Sequence, residues 1–355
     1  MARSRAMVPP LDSPRTRVRS RLLAVAAAVA LAGLVAGCGL RFETPAQVAP
    51  TPGANEIARQ RASADSLGLA VLADAPAADP ADPLTPVRAA VVAQARAHLE
   101  QLGAGDSTPA SDTSPTGEPS PAESSAAGSS PVEPSPVVPP TAAPTGAAPD
   151  VVVAQLALAA GSARADAASV PDGPLARLLG SVSTARILAA RQLAGAAALE
   201  PPALPPAAVP ATAPAGPSPS ALRAVVAAED EAGYGYEVIA AKLSGGARTS
   251  ALDRAAVHRT RADGWAALLS IAHTGLDPRR SAYALPAGLD DPAVATALAQ
   301  TLELSLASTY ASLVADAEPA SRAGLLDALT DAAATAVAWG APVPSVPGLP
   351  ERSVG

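Results

Sequence analysis

The chain of 355 residues contains one cysteine, Cys38, so no disulfide can form within it. Aromatic residues make up only 2% of the sequence, and Lys242 is the single lysine, so arginine supplies almost all of the positive charge. An exported fold without a disulfide must be stabilised by packing alone. We therefore expect thin, alanine-lined contacts between its elements of secondary structure.

Cys38 follows a segment that is typical of a secretory signal peptide. Four arginines between residues 15 and 21 precede an alanine-rich apolar stretch, 22–36, and small residues lead into Cys38. This layout predicts a lipobox with a signal peptide at 1–37. Resemblance to lipoprotein signals implies that the Cys38 thiol becomes thioether-linked to diacylglycerol. An uncleaved anchor or an ordinary signal peptide fits less well, because residues 22–40 are at the lower length limit for spanning a bilayer and include three glycines, and no A-x-A-like site follows.

Removal of 1–37 makes the chain strongly acidic. The loss of six arginines and one aspartate leaves 19 basic and 31 acidic residues, a net charge of −12. Such a charge argues against nucleic acid as a partner and against electrostatic attachment to anionic lipid. We expect a protein anchored by its acyl chains to the extracytoplasmic face of the cell membrane, with an envelope protein as its possible partner.

Composition divides the mature chain into segments. Four tracts are biased towards proline, serine, threonine or alanine: a spacer at 38–53, an insertion at 104–150, a linker at 201–219 and a tail at 342–355. We expect these tracts to be disordered or semi-extended, with the insertion either unmodified or O-glycosylated. They leave an amino-terminal block at 54–200 and a carboxy-terminal block at 220–341, with the domain boundary at the linker.

Both blocks show helical patterns, and no segment has the alternating pattern of a strand. Predicted helices of the first block are 55–73, 86–102, 150–170 and 174–199, and those of the second are 220–243, 250–273, 291–316 and 319–340. Asp291 followed by Pro292 is a typical helix start, and Gly245 with Gly246 indicates a helix end. The sequence predicts an all-α fold of two four-helix bundles.

One charged residue occupies a core position of the second block. The apolar face of its first helix includes Glu229, and the face of the next helix places His258 inward as well. A buried carboxylate is unfavourable by several kcal/mol unless it is paired or bound to metal. We therefore expect an ion pair from Glu229 to Arg259 or Arg261 on the second helix, or to Arg322 at the start of the fourth.

The second block resembles a known family over about residues 218–351. The resemblance rests on the segments AAEDEAGYGYEVIAAKLSG, AAVHRTRADGWAALL, SAYALP, DDPAVATALAQTLE and AVAWGAPVPSVPGLPE. These are similar to the ferritin-like domains of unknown function found in actinobacterial exported proteins and lipoproteins. The resemblance implies a ferritin-like four-helix fold and carries no assigned activity.

The ligand set of a ferritin-like di-iron site is incomplete. Such sites use a glutamate from each of two helices and Glu-x-x-His from each of the other two. No Glu-x-x-His occurs in the second block, and Glu303 is predicted at the bundle flank, about 90° from the apolar face of its helix. A metal centre would have at most Glu229, His258 and Glu303, so we expect no metal and no other cofactor.

Several other polar residues receive structural assignments. Asp327 and Asp331 are predicted to point away from the apolar face of the last helix, and His98 is predicted at the surface. Tyr234 and Tyr236 are expected to pack and to form hydrogen bonds across helices. No nucleophile elbow, phosphate-binding glycine loop or Ser/His/Asp arrangement is present, so no catalytic residue is assigned.

These expectations favour a non-enzymatic binding or scaffolding module of the cell envelope. Two alternatives remain open at this point. The first is a ferritin-like metal-binding protein or oxidoreductase built on the three candidate ligands. The second is a small apolar-ligand binding protein, because alanine-lined bundles can leave room between helices.

Overall fold

The computed structural model describes residues 51–74, 82–103 and 146–352. Across these ranges the chain is all-helical and has no strand, which confirms the predicted fold class. Two short 3₁₀ turns, Pro319–Ser321 and Pro350–Arg352, accompany the α-helices. The described α-helices are α1 (Ala54–Ala73), α2 (Leu84–Gln101), α3 (Pro149–Ser169), α4 (Gly173–Ala196), α5 (Pro219–Lys242), α6 (Gly245–Leu268), α7 (Pro292–Asp316) and α8 (Ala323–Ala338).

Three predictions from the sequence lie outside the described residues. They are the signal peptide at 1–37, the lipidated Cys38 with nearly all of the spacer, and most of the insertion at 104–150. These stay predictions.

Side-chain caps start three of the longest helices. The Asp172 side chain accepts a hydrogen bond from the backbone of α4, and Ser218 and Asp291 do the same for α5 and α7. Each cap precedes a proline at the first or second helical position, where the missing N–H costs nothing. The Asp291 cap was predicted, whereas α5 starts one residue earlier than predicted because Pro219 takes its first position.

The α6 boundaries differ from the predicted 250–273 at both ends. Gly245 has a positive φ of 59°, so it lets the chain reverse directly from α5 and begin α6 within two residues. The far end stops at Leu268 because Ser270 and His273 adopt left-handed backbone conformations, with φ of 54° and 60°. The last helix also starts later than the predicted residue 319, because Pro319 opens a 3₁₀ turn and α8 begins at Ala323.

The two blocks of helices share a hydrophobic core. Within residues 52–355, α5 packs on α6 and α7, α8 packs on α7, and α4 from the first block packs on α3, α7 and α8. One continuous cluster includes Leu179 of α4, Tyr236 of α5, Trp265 of α6, Leu306 of α7 and Leu329 of α8. The 201–219 segment therefore joins parts of one compact unit and does not separate two cores.

A second cluster closes the other end of the first block, where α1 to α4 meet around Leu69 and Leu193. Arg186 is fully buried beside it and donates to the backbone oxygens of Ala62 (2.7 Å) and Ala159 (3.0 Å). Burial lowers the pKa of Arg186 to about 10, and its nearest carboxylate is that of Asp65 at 3.4 Å. This guanidinium therefore ties α1, α3 and α4 together.

Two proline-rich segments are more ordered than their composition predicts. In the 201–219 segment, arginine side chains donate to the carbonyls of Pro202 and Ala207. In the tail that begins at residue 342, Val346 and Leu349 are buried in the main core. Residues 201–218 contain no helix or strand, in keeping with a semi-extended linker, and both segments are held in place because their carbonyls and apolar side chains find partners on the helices.

One described helix, α3, is long and apolar enough to cross a membrane by length and composition alone. In the structure 44% of its most apolar window is buried against other helices. One such helix is weak evidence of a membrane span, because core helices and signal sequences pass the same test, and α3 packs on α4.

Candidate functional site

A network of buried polar side chains lies between α5, α6, α7 and α8. Helical spacing places its members together, because residues seven apart in a helix lie on nearly the same face. Glu229 and Tyr236 on α5 have this spacing, as do Glu303 and Tyr310 on α7, and Asp331 joins from α8. On α6 the contributing residues are Arg254, His258 and Arg261, which follow one face at spacings of four and three.

His258 is the centre of this network. Its Nδ1 lies 2.6 Å from Glu229 Oε2 and its Nε2 lies 3.1 Å from Glu303 Oε1. All three side chains have no solvent exposure. Burial by itself lowers the pKa of His258, but hydrogen bonds to the two carboxylates outweigh it and raise the pKa above its usual value. The two carboxylates on opposite ring nitrogens therefore favour the protonated form of His258.

Arg254 extends the network from Glu303 to Asp331. Its Nε and Nη2 donate to the two Glu303 oxygens at 2.6 and 2.8 Å, a bidentate arrangement, and its Nη1 donates to Asp331 Oδ2 at 2.9 Å. Arg261 Nη1 lies 2.8 Å from the same Asp331 oxygen. Burial alone would raise the pKa of Glu303, but His258 and Arg254 lower it to about 2.

Two tyrosine hydroxyls complete the hydrogen bonding of the carboxylates. Tyr310 donates to Glu229 Oε1, and Tyr236 donates to Glu303 Oε1 at 2.9 Å. Burial and the adjacent carboxylates raise the pKa of both phenols far above the usual value, so both remain protonated donors. Every oxygen of Glu229 and Glu303 thus accepts at least one hydrogen bond.

The ionised groups of the network balance. Three carboxylates face three cations: Glu229, Glu303 and Asp331 against Arg254, His258 and Arg261. Isolated buried charges are very unfavourable, whereas paired and hydrogen-bonded ones are tolerated. The sum is zero when His258 is protonated, and the raised pKa of His258 favours that form.

The predicted partners of Glu229 are corrected by this geometry. His258 was predicted inward and is the partner, together with Tyr310, whereas Arg259 reaches Asp230 and Glu237 on the outer side of α5. The reason is that consecutive helical residues point about 100° apart, so Arg259 turns away from the face of His258.

Arg322 also differs from its predicted role as an ion-pair partner. It is buried, but its guanidinium donates to the backbone carbonyls of Ala317, Ala167 and Val170. Burial lowers its pKa. Arg322 therefore joins the end of α3 to the connection between α7 and α8, away from the network.

Glu303 was predicted at the flank of the second block, and this prediction is wrong, whereas Asp331 was predicted to point away from the apolar face of its helix and lines a surface cleft. Glu303 is fully buried because α7 packs on α5 as well as on α8, which covers its flank. Asp331 is partly buried because Arg254 and Arg261 reach it from α6. The overlooked signal was the spacing of these two arginines around His258 on one helical face.

His98 is likewise buried, with 1% exposure, although it was predicted at the surface. Its Nε2 lies 2.7 Å from the Ser345 carbonyl oxygen, so the tail covers it. Burial lowers the pKa of His98 to about 3. The imidazole is therefore neutral and donates its Nε2 proton to the tail.

The two tyrosines of α5 both pack against other rings. Tyr234 packs at a tilt against Tyr283, and Tyr236 stacks on His258.

The three candidate metal ligands converge, but their arrangement does not fit a metal centre. Glu229 and Glu303 bind opposite nitrogens of His258, so the ring holds the two carboxylates apart. Metal ligation needs an unprotonated imidazole nitrogen that faces the ion, and each nitrogen of His258 faces a glutamate oxygen at hydrogen-bonding distance. Both Glu303 oxygens also accept from Arg254. Among the described residues, no group of three or more His, Cys, Asp or Glu side chains is arranged to hold a metal ion.

Several clefts open on the surface of the described part of the chain. One of about 480 Å³ lies between α4, α8 and the tail, and includes Asp331 in its lining. A second of about 440 Å³ lies between α2, α4 and the tail. A third of about 470 Å³ lies between α6 and residues 207–209, with Arg261 in its lining. The network thus reaches the surface only through groups that are already paired with each other.

All eight members of the network lie between Glu229 and Asp331. Residues 221–351 match the family model of DUF4439, a domain of unknown function. The DUF4439 region therefore contains the whole network, together with α6, α7, α8 and nearly all of α5. No curated protein and no solved structure matches the chain.

Proposed function

We propose that the protein is a non-enzymatic binding module of the cell envelope, anchored by a lipid on Cys38 to the extracytoplasmic face of the membrane. The single observation that carries the non-enzymatic part is the closure of the buried network. Each of its charged groups is paired with another member, so none is left to act on a substrate.

The burial of the network supports the same conclusion. A general acid or base must come within hydrogen-bonding distance of the atom it protonates or deprotonates. Glu229, His258 and Glu303 have no solvent exposure, and the Tyr310 and Tyr236 hydroxyls are used within the network. We infer that the network stabilises a ferritin-like bundle formed by α5 to α8, as the family resemblance implies, and that binding takes place in the surface clefts.

The location is tested with a Cys38→Ala variant expressed in the native host. We expect the wild type to carry an acyl group and to remain with the membrane fraction, and the variant to lose both properties. A matched serine-to-alanine change elsewhere in the first 50 residues, Ser20→Ala, should keep both. Unchanged membrane retention of Cys38→Ala would favour an uncleaved anchor and overturn the lipid-anchor proposal.

A ferritin-like metal-binding protein or oxidoreductase is the second candidate, favoured by the convergence of Glu229, His258 and Glu303. Elemental analysis of protein purified without a chelator distinguishes the two. We expect no stoichiometric metal. Iron or manganese near one or two ions per chain, lost in Glu229→Ala and kept in Glu237→Ala on the outer side of the same helix, would establish the second candidate in place of the first.

The binding role itself is tested by affinity purification from detergent-solubilised membranes, together with native mass spectrometry. We expect a reproducible protein partner or a co-purifying small molecule. Repeated recovery of neither would count against a binding module.

A further inference from the structure

The clefts on the two sides of the tail adjoin each other, because Gln192, Pro342 and Val343 line both, and we refer to the two clefts together as the groove. We propose that this groove binds a single-chain amphiphile with an anionic head group, of the class of long-chain fatty acids. The proposal rests on the proposed function as a binding module and names its ligand class. The volumes of about 480 and 440 Å³ each fall in the usual range of small-molecule sites.

The second cleft suits a hydrocarbon tail. No charged residue lines it, and its apolar surface comes from α2 and α4, with Val87, Ala90, Val91, Ala93, Ala97 and Ala189. The first cleft continues this surface with Leu188, Leu204 and Val337. A flexible chain can follow the groove past Pro342, whereas a compact ligand would fill only one of the clefts.

The first cleft contains the two charged residues of the groove, Arg191 and Asp331. Asp331 is neutralised from the inside, because Arg254 and Arg261 both donate to it. Arg191 donates Nη1 to the Pro202 carbonyl at 2.5 Å, and within the described residues no carboxylate lies at ion-pair distance from it. The uncompensated charge of the groove is therefore positive, although the chain as a whole is acidic.

The hydrogen bond to Pro202 also orients the Arg191 guanidinium. One nitrogen is fixed by the 201–219 segment, and the remaining N–H groups are available to a carboxylate, which guanidinium binds through paired hydrogen bonds. The geometry thus selects a head group with negative charge and adjacent oxygens. A neutral apolar molecule would leave this donor without a partner, which carries a cost on binding.

The test uses the chain from residue 39 onward, which keeps the compact unit 52–355 and has no anchor whose acyl chains could compete. Binding of palmitate and of hexadecanol is measured by titration calorimetry. We expect one palmitate per chain and weaker binding of the alcohol. Arg191→Gln should weaken palmitate binding about tenfold or more and leave hexadecanol binding unchanged. Arg223→Gln, an arginine on α5 outside the groove, should change neither.

A second variant tests the path of the tail. Ala93→Phe places a ring in the second cleft from an exposed helical position, so the fold should tolerate it. It should weaken binding of palmitate and spare octanoate, which is too short to leave the first cleft. Equal palmitate binding by wild type and Arg191→Gln, or no palmitate binding by the wild type, would overturn the proposal. Because the anchor is absent, these outcomes are independent of the Cys38→Ala and metal analyses that test the proposed function.

Discussion

The charge balance of the buried network predicts a large loss of stability in Glu303→Gln. This variant keeps the size of the side chain and removes one of three negative charges. Arg254 then loses its bidentate partner, and His258 retains only Glu229. The network is left with an excess of positive charge in the core, away from water.

The magnitude follows from the contacts that remain. Removing one partner of a buried ion pair costs roughly 3–5 kcal/mol. Arg254 keeps Asp331 and His258 keeps Glu229, so we expect a value at the lower end, about 3 kcal/mol. For domains of roughly 150–250 residues this corresponds to a melting temperature lower by about 6–12 °C.

Thermal unfolding followed by far-ultraviolet circular dichroism measures this effect. The matched control is Asp290→Asn, which removes the exposed partner of Lys242 and should leave the melting temperature unchanged. A second variant, Glu303→Gln combined with His258→Gln, restores the balance of charge. It should be less destabilised than the sum of the single variants by about 0.5–3 kcal/mol. Equal melting of Glu303→Gln and Asp290→Asn would refute the reasoning, and strict additivity would refute the role of charge balance.

Three further predictions use the same measurement. His98 takes up a proton below about pH 6.5 in the unfolded chain but only near pH 3 in the native protein. The free energy of unfolding of the wild type should therefore fall by about 2 kcal/mol between neutral pH and about pH 5, and that of His98→Gln should fall less. The raised pKa of His258 acts oppositely: its contribution is complete below about pH 6.5 and is lost as the pH rises through the native value, so wild type and His258→Gln should converge at alkaline pH. Gly348→Ala should destabilise the protein by about 1–3 kcal/mol, because φ at this residue is +79° and the new methyl group would lie 2.7 Å from the methyl group of Ala311. Gly161→Ala, on the open face of α3, should instead stabilise the protein by about 0.5–1 kcal/mol. Parallel pH curves for wild type and either histidine variant, or a neutral Gly348→Ala, would contradict these accounts.

The sequence predicts the inward positions of Glu229 and His258 because helical period alone determines them. It does not predict that they pair, since the choice among neighbours depends on the rotation of α6 against α5. A difference of one residue separates His258, which faces the core, from Arg259, which faces Asp230. The helical period shows which face of α6 is apolar but not which residue of α5 each side chain of α6 meets.

To predict the burial of Glu303 from the sequence, one would need to know all the helices that pack on α7. Its position 90° from the leucine face is a flank only if α7 packs on a single neighbour, and α7 packs on α4, α5 and α8. The same limit applies to His98, which is buried by a tail whose proline content predicted disorder. In both cases the covering segment is distant in sequence, so no local pattern reports it.

The proline-rich segments show why composition misjudges order in this chain. Proline cannot donate a backbone hydrogen bond, but the carbonyls of such a segment remain acceptors. Arg191 and Arg261 donate to the carbonyls of Pro202 and Ala207. Side chains of α4 and α6 thus hold the 201–219 segment in place. Residues of this segment, held in that way, form part of the lining of two clefts.

Arg254 and His258 supply positive charge beside the buried Glu303. Carboxylates that meet at the centre of four helices need positive charge close by, and a divalent cation is one source of it. Here the Arg254 guanidinium contacts both oxygens of Glu303 and extends to Asp331, while His258 links Glu303 to Glu229. These groups belong to the protein, so the positive charge comes into place as the chain folds. This is why we propose that binding takes place at the surface, where Arg191 lines an apolar cleft.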